Sequence, residues 1–315
     1  MNIALQKQKL YEAFGKRCEE NTDLFSSLTL RLHTKAEFFF KATSRDDLIK
    51  ARKVATDLSI PFHLIGGGSN IVIQNEVLSG LTVKNEYRRK SVDSQGSDVL
   101  LTVSSGYLFP QLVSETVSEG IGGFEYHQGL PGTVGGAIYM NSKWTRPLSY
   151  VGDSVERAVV CDEHGVEKTV DKEYFTFSYD YSNLQKNHDV LLEVVFRLKK
   201  EDKSVLIQRS QEALLYRKKT QPMGKATCGC FFQNISEDEV ERLSLPTGSA
   251  GFLIDKSKLK GARKGSFVVS SLHANFIINE GEGSVSDLLE LVTLVKKTVK
   301  DHYNVELKEE VQLWK

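Results

Sequence analysis

A run of three glycines stands between two β-rich stretches in PFHLIGGGSNIVI, and no other feature limits the fold of this chain as strongly. Gly66, Gly67 and Gly68 can reach positive φ and bare their backbone N–H groups, so with Ser69 and Asn70 they can form an anion-binding nest. A dinucleotide fingerprint of the nicotinamide type opens a helix directly after its glycines. Here the β-branched Ile71-Val72-Ile73 follows instead. The unit therefore reads strand–turn–strand, which disfavours a nicotinamide-type doubly wound site. A second cluster, GLPGTVGGAIYMN, sets Gly129, Pro131, Gly132, Thr133, Gly135 and Gly136 among apolar neighbours. Such density suits a tight buried loop whose bare backbone lets a bulky ligand approach, although ordinary turns also use glycine freely.

Around these loops the periodicities are mixed. Leu10, Phe14 and Cys18 fall at helical spacing, predicting an amphipathic helix over 5–20. Ser44 and Asp47 form a capping box ahead of Leu48, Ala51, Val54, Ala55 and Leu58 on one helical face. A helix is expected after Tyr107, with Pro110 in its first turn and Gly120 past its end. Strands are expected at 98–104, in a hairpin around Gly165, and at 191–198. After KKEDK the pattern turns helical over 204–219, and the chain closes with a long helix bearing Leu288, Val292, Val295 and Val299 and a final strand VELKEEVQLW. The fold class is α+β. A boundary near residue 203 separates residues 1–203, with two α+β subdomains, from a smaller domain at 204–315.

Lys plus Arg and Asp plus Glu balance at 41 each over 315 residues, so no net field draws the chain to nucleic acid or to a membrane. The polar start has no apolar signal core and no 18-residue apolar run occurs, so a cytoplasmic protein is expected. Cys18, Cys161, Cys228 and Cys230 are too scattered for a disulfide scaffold. The C-x-C at 228–230 has no second ligand pair nearby, so no metal is expected.

Together the two glycine loops resemble the flavin domain of the vanillyl-alcohol-oxidase-like superfamily. Five further stretches carry a closer resemblance, to the UDP-N-acetylenolpyruvoylglucosamine reductase family (UDP-N-acetylmuramate dehydrogenase). Arg217 with Gln221-Pro222 resembles that family's R-x-x-x-Q-P, and Gly229-Cys230-Phe231-Phe232-Gln233-Asn234 its G-S-x-F-K-N. Ala250-Gly251 through Gly261 resembles A-G-x-L-I-[DE]…G-L-K-G, His273-Ala274-Asn275-Phe276-Ile277 resembles H-A-N-F-I, and Leu307 to Val311 resembles L-E-P-E-V. The short interval from Tyr179 to Arg217 resembles the subgroup lacking a substrate-clamping insertion. The resemblance implies an FAD-binding region at 1–203 and a substrate-binding domain at 204–315. It also implies non-covalent FAD held by Gly66 to Asn70 and by Pro131, Gly132, Thr133, Gly135, Gly136 and Asn141, with NADPH or NADH as reductant. A UDP-sugar substrate bound in part by Tyr179, Arg217, Asn234 and His273, and action as a monomer, complete the expectation.

Such a reaction needs a proton donor to carbon and a cation for developing enolate charge. Cys230 stands where the resemblance places a proton-donating Ser; a thiol, with an ordinary pKa of about 8.5, is the better acid. Glu310 matches the family's catalytic glutamate. The third position departs: Tyr179-Asp180-Tyr181-Ser182 replaces Y-R-x-S, so Asp180 stands where a substrate-facing Arg is expected. Losing such a donor costs about 3 kcal/mol. Arg31-Leu32-His33-Thr34 also departs, from R-x-G-G, and Lys143 and Arg146, beside the second loop, are candidate replacement cations. Asp180 keeps two other readings open: a related flavin oxidoreductase with a different substrate, and a flavin-binding protein without catalysis.

Overall fold

The computed structural model describes residues 3–315. The chain divides into two compact units, and it crosses between them repeatedly. Unit one gathers residues up to Thr22, Ala36–Gly67 and Ser79–Tyr216; unit two gathers Asp23–Lys35, Gly68–Leu78 and Arg217–Lys315. A single cut near 203 is therefore not how the chain partitions. The helix Lys203–Thr220 runs through position 203 unbroken. The strand Ile71–Ile73 leaves the first glycine run to pair in parallel with Gln312–Trp314 at the far end of the chain.

Unit one holds two buried clusters. In the first, the strands Cys18–Asp23, Lys35–Ala42, Val77–Asn85 and Phe62–Ile65 form a sheet in that order. The helix Arg45–Asp57, capped by the Ser44 hydroxyl accepting from Asp47 N, buries Leu48, Ala51 and Ala55 in this cluster. In Lys35–Ala42, Phe38 and Phe40 point into this cluster, as the period-2 pleat requires, and Phe39 between them is buried as well. The second cluster sits on a six-stranded sheet. Its centre, Val190–Lys200, pairs antiparallel with Asp98–Ser104 on one side and Val155–Cys161 on the other. Flanked by strands on both sides, it is apolar and buried over Val190–Leu192 and Val194–Phe196. The helix Phe109–Ser118, with Pro110 in its first turn, lays Leu112, Val113 and Val117 on that core. Gly120 just beyond has φ +72°.

One expected helix is shorter than its periodicity suggested. It spans Ile3–Phe14, then Gly15 at φ +60° breaks it, and Cys18 opens a strand instead of closing a helical face.

Unit two is built on the hairpin-linked strands Arg263–Lys264, Phe267–Val269 and Ile277–Asn279, and on the helix Val285–Tyr303. That helix starts with a reciprocal Ser284–Asp287 capping box and buries Leu288, Leu291, Val292, Val295 and Val299. The expected closing strand is regular only over Gln312–Trp314. Among the described residues no helix is long and apolar enough to cross a membrane.

Candidate functional site

The sequence-predicted residues fall into two groups, one in each unit. In unit one the end of the first glycine run meets the second loop. A Cβ on Gly66 would stand 2.3 Å from Thr133 Oγ1, and one on Gly67 would stand 2.4 Å from Gly132 Cα. A Cβ on Gly135 would press on Ser105 at 3.0 Å. The bare backbone at these three positions therefore serves the mutual approach of protein segments, where the sequence alone suggested approach of a ligand. Gly129 and Gly132 occupy positive φ, +81° and +109°. Thr133 caps the short helix Val134–Tyr139 by accepting from Gly136 N. Backbone bonds from Val134 N to Tyr107 O and from Gly135 N to Ser105 O fasten the loop to the segment just past the strand Asp98–Ser104. The result is a rigid, side-chain-poor cradle of the kind a flat cofactor and its pyrophosphate require.

Asn141 ends this loop in the left-handed region and is buried. Its amide donates to Ser178 O at 3.0 Å and accepts from Gly152 N at 3.1 Å. That clasp fixes the next element, a tight turn in which Ser178 and Tyr181 exchange backbone bonds and Tyr179 and Asp180 form the tip. Asp180 adopts φ +52°, a conformation aspartate tolerates better than most residues. It is only 8% exposed, and its backbone carbonyl accepts from Gln185 Nε2 at 2.9 Å. Burial pushes its carboxyl above the usual range, and the Lys143 charge opposes that rise without cancelling it. Lys143 Nζ lies 3.9 Å from Asp180 Oδ1 and 3.2 Å from the centre of the Tyr179 ring. Arg146 is engaged elsewhere, its guanidinium 5.1 Å from the Tyr216 ring centre.

In unit two three extended segments run side by side. Phe231 N donates to Asn275 O, and the Asn275 side chain both donates to Phe232 O and accepts from Phe232 N. On the other flank Glu310 N donates to Phe231 O and Gln233 N to Lys308 O. The segments that carry Cys230 and Glu310, 80 positions apart in sequence, thus lie side by side. The carboxyl of Glu310 also lies close to Cys228: burial pushes that thiol up to about 12, and the Glu310 charge adds to the rise. Asn70, from the first glycine run, donates to Glu310 O at 3.3 Å and accepts from Gln312 N at 2.9 Å. Gly68 is drawn in beside it, its carbonyl accepting from Thr29 N and Thr29 Oγ1, the hydroxyl also reaching Thr227 O. Gly68, Ser69 and Asn70 consequently belong with the second unit.

Arg217 is 6% exposed and donates to Gln221 Oε1 at 3.2 Å. Burial draws its guanidinium down to about 10, while the nearby Cys230 acts to raise it, so it remains a cation at neutral pH. His273 is drawn below its ordinary range by burial and by the Lys260 charge, which favours the neutral ring. Its Nδ1 accepts from Asn275 N. Asn234 accepts from Ala250 N and borders a cleft of about 450 Å³. Glu237 and Glu241 line that cleft, which suits a diphosphate poorly. Sequence reasoning missed Thr29, Gly152 and the clamp formed by Asn275. Only Asn275 carried a readable signal, a lone amide inside the apolar run HANFII.

Two family models match parts of the chain. Residues 36–170 match the model of an FAD binding domain, and residues 221–314 match that of the UDP-N-acetylenolpyruvoylglucosamine reductase C-terminal domain. The UDP-N-acetylenolpyruvoylglucosamine reductase of Bacillus subtilis is 31% identical over 307 residues, 97% of either chain. The chain belongs to the UDP-N-acetylenolpyruvoylglucosamine reductase family. A crystal structure of the family's member from Thermus caldophilus superposes with a TM-score of 0.77 at 28% identity, covering 95% of this chain and 99% of that one. A vanillyl-alcohol-oxidase-type flavoprotein of Myceliophthora thermophila shares the fold at a TM-score of 0.58 and 8% identity, over 98% of this chain and 87% of that one. The architecture is thus an FAD-binding domain of that type joined to the reductase family's C-terminal domain, as the glycine loops and the five later motifs led one to expect.

Proposed function

We propose that this chain reduces UDP-N-acetylenolpyruvoylglucosamine to UDP-N-acetylmuramate, with FAD as resident cofactor and NADPH as reductant, in the synthesis of peptidoglycan precursors. The observation that supports the reading is the pairing of the segments that carry Cys230 and Glu310, held by Asn70 and Asn275, in a chain of this family.

Gly66, Gly67, Gly68, Ser69, Asn70, Pro131, Gly132, Thr133, Gly135, Gly136 and Asn141 would hold FAD. Bound FAD supplies the hydride chemistry. Cys230 delivers the proton that completes addition across the enolpyruvoyl double bond at the α-carbon, a task suited to a half-buried thiol. Glu310, its backbone pinned on both sides, holds a carboxyl at that centre. Arg217 offers a desolvated cation, whose attraction for an anionic substrate is strengthened by the low dielectric around it. His273 and Asn234 contribute hydrogen bonds to the sugar nucleotide, and Tyr179 a ring edge. We place the protein in the cytoplasm as a monomer acting on a small molecule, with neither nucleic acid nor membrane as partner.

Purified protein given FAD, NADPH and the enolpyruvoyl substrate should yield a product heavier by two hydrogens in a mass spectrum. Oxidation of NADPH with the sugar nucleotide recovered unchanged would refute the assignment.

A further inference from the structure

The enolpyruvoyl group carries a carboxylate, and hydride addition to its double bond spreads negative charge onto that carboxylate. A cation placed against it is therefore required by the chemistry alone. At the tip of the turn that Asn141 clasps, the residue present is the anion Asp180.

The Asp180–Lys143 pair differs from a structural ion pair in two respects. Lys168 and Asp189, elsewhere in the same unit, close to 2.7 Å, whereas Lys143 Nζ and Asp180 Oδ1 remain 3.9 Å apart. Asp180 Oδ2 is buried and accepts no hydrogen bond among the described residues. A buried carboxylate left this far from a donor is costly, so a stabilising role explains the arrangement poorly. The attraction nonetheless aims the ammonium, and the Tyr179 ring 3.2 Å away supports it from a second side. Every supporting element is fixed: Asp180 by Gln185, the turn by Asn141, and Lys143 by strand pairing with Tyr150. The alternative cation, Arg146, sits on Tyr216.

We propose that Lys143 is the substrate-carboxylate cation of this enzyme, and that Asp180 is a positioning residue which orients its ammonium. The inference rests on the function proposed above and names the residue that reads the enolpyruvoyl carboxylate. The chain has thereby exchanged a cation on the turn for an anion on the turn and a cation on the neighbouring strand.

The test compares binding of UDP-N-acetylenolpyruvoylglucosamine with that of UDP-N-acetylglucosamine, which lacks the carboxylate, by calorimetry on the oxidised holoenzyme. The wild type should prefer the former. Lys143→Ala and the charge-neutral double variant Lys143→Ala/Asp180→Asn should both lose ten- to a hundredfold of that preference, the worth of a charge-assisted bond. Because the readout is a ratio between two ligands, partial loss of folded protein cancels. Lys143→Arg should keep the preference, and Asp180→Asn should keep or raise it while lowering kcat, since the ammonium loses its guide. A wild type that discriminates, with a ratio unmoved in the double variant, overturns the role of Lys143 alone. A wild type that does not discriminate overturns the proposed function, and this inference with it.

Discussion

Replacing Gly67 by alanine tests the claim that the glycine loops are shaped by each other. The new Cβ would stand 2.4 Å from Gly132 Cα, whereas ordinary contact begins at 3.4 Å, so one loop must retreat by about 1 Å. The obstacle is backbone, which cannot rotate away as a side chain would. Overpacking of this kind costs about 1–3 kcal/mol. If about 2 kcal/mol of it falls on the cofactor-bound arrangement, the Kd for FAD rises roughly thirtyfold. Gly96→Ala is the control: φ there is +65° with nothing within 4 Å, so only the left-handed backbone cost of about 1 kcal/mol applies. The ratio of flavin to protein absorbance after gel filtration, with Tm on the apoprotein, separates the two variants. Gly67→Ala should emerge largely colourless and Gly96→Ala yellow. A Gly67→Ala protein that retains its flavin as the wild type does would refute the reasoning.

Cys230→Ala should leave NADPH-driven flavin reduction nearly intact but slow substrate-driven reoxidation about 10²–10⁴-fold in stopped flow, with Cys230→Ser retaining much of the rate. Asn70→Ala removes the donor to Glu310 O and should lower kcat about tenfold in the same assay. Burial opposes ionisation of Asp47, yet hydrogen bonds from Arg17 and Thr43 hold its carboxyl down to about 2. Because the folded value lies below the unfolded one, this group contributes about 2 kcal/mol above roughly pH 4, lost as the pH falls toward 2. Asp47→Asn should therefore destabilise at pH 7 and match the wild type at pH 2 in denaturant titrations.

The elements with strong periodicity were legible: the capped helix over Arg45–Asp57, the central strand Val190–Lys200, and the long helix Val285–Tyr303 with its apolar stripe. What stayed hidden were facts of distance along the chain. Nothing local announces that Ile71–Ile73 pairs with Gln312–Trp314, yet that pairing brings Asn70 to Glu310 and accompanies the assignment of Gly68, Ser69 and Asn70 to the second unit. Spacing could not show that Gly67 is bare for Gly132, because both a ligand and a second loop demand the same missing Cβ. Register placed Asp180 at the family's Arg position, but its meaning depends on Lys143, 37 positions earlier, and only packing puts them side by side.

The most direct test of the central claim is a single half-reaction. The FAD-loaded protein is reduced anaerobically with one equivalent of NADPH and mixed with UDP-N-acetylenolpyruvoylglucosamine while the flavin absorbance is followed. The oxidised spectrum should return, with UDP-N-acetylmuramate formed in equal amount to the flavin reoxidised. A flavin that reduces normally and then stays reduced in the presence of this substrate would contradict the account.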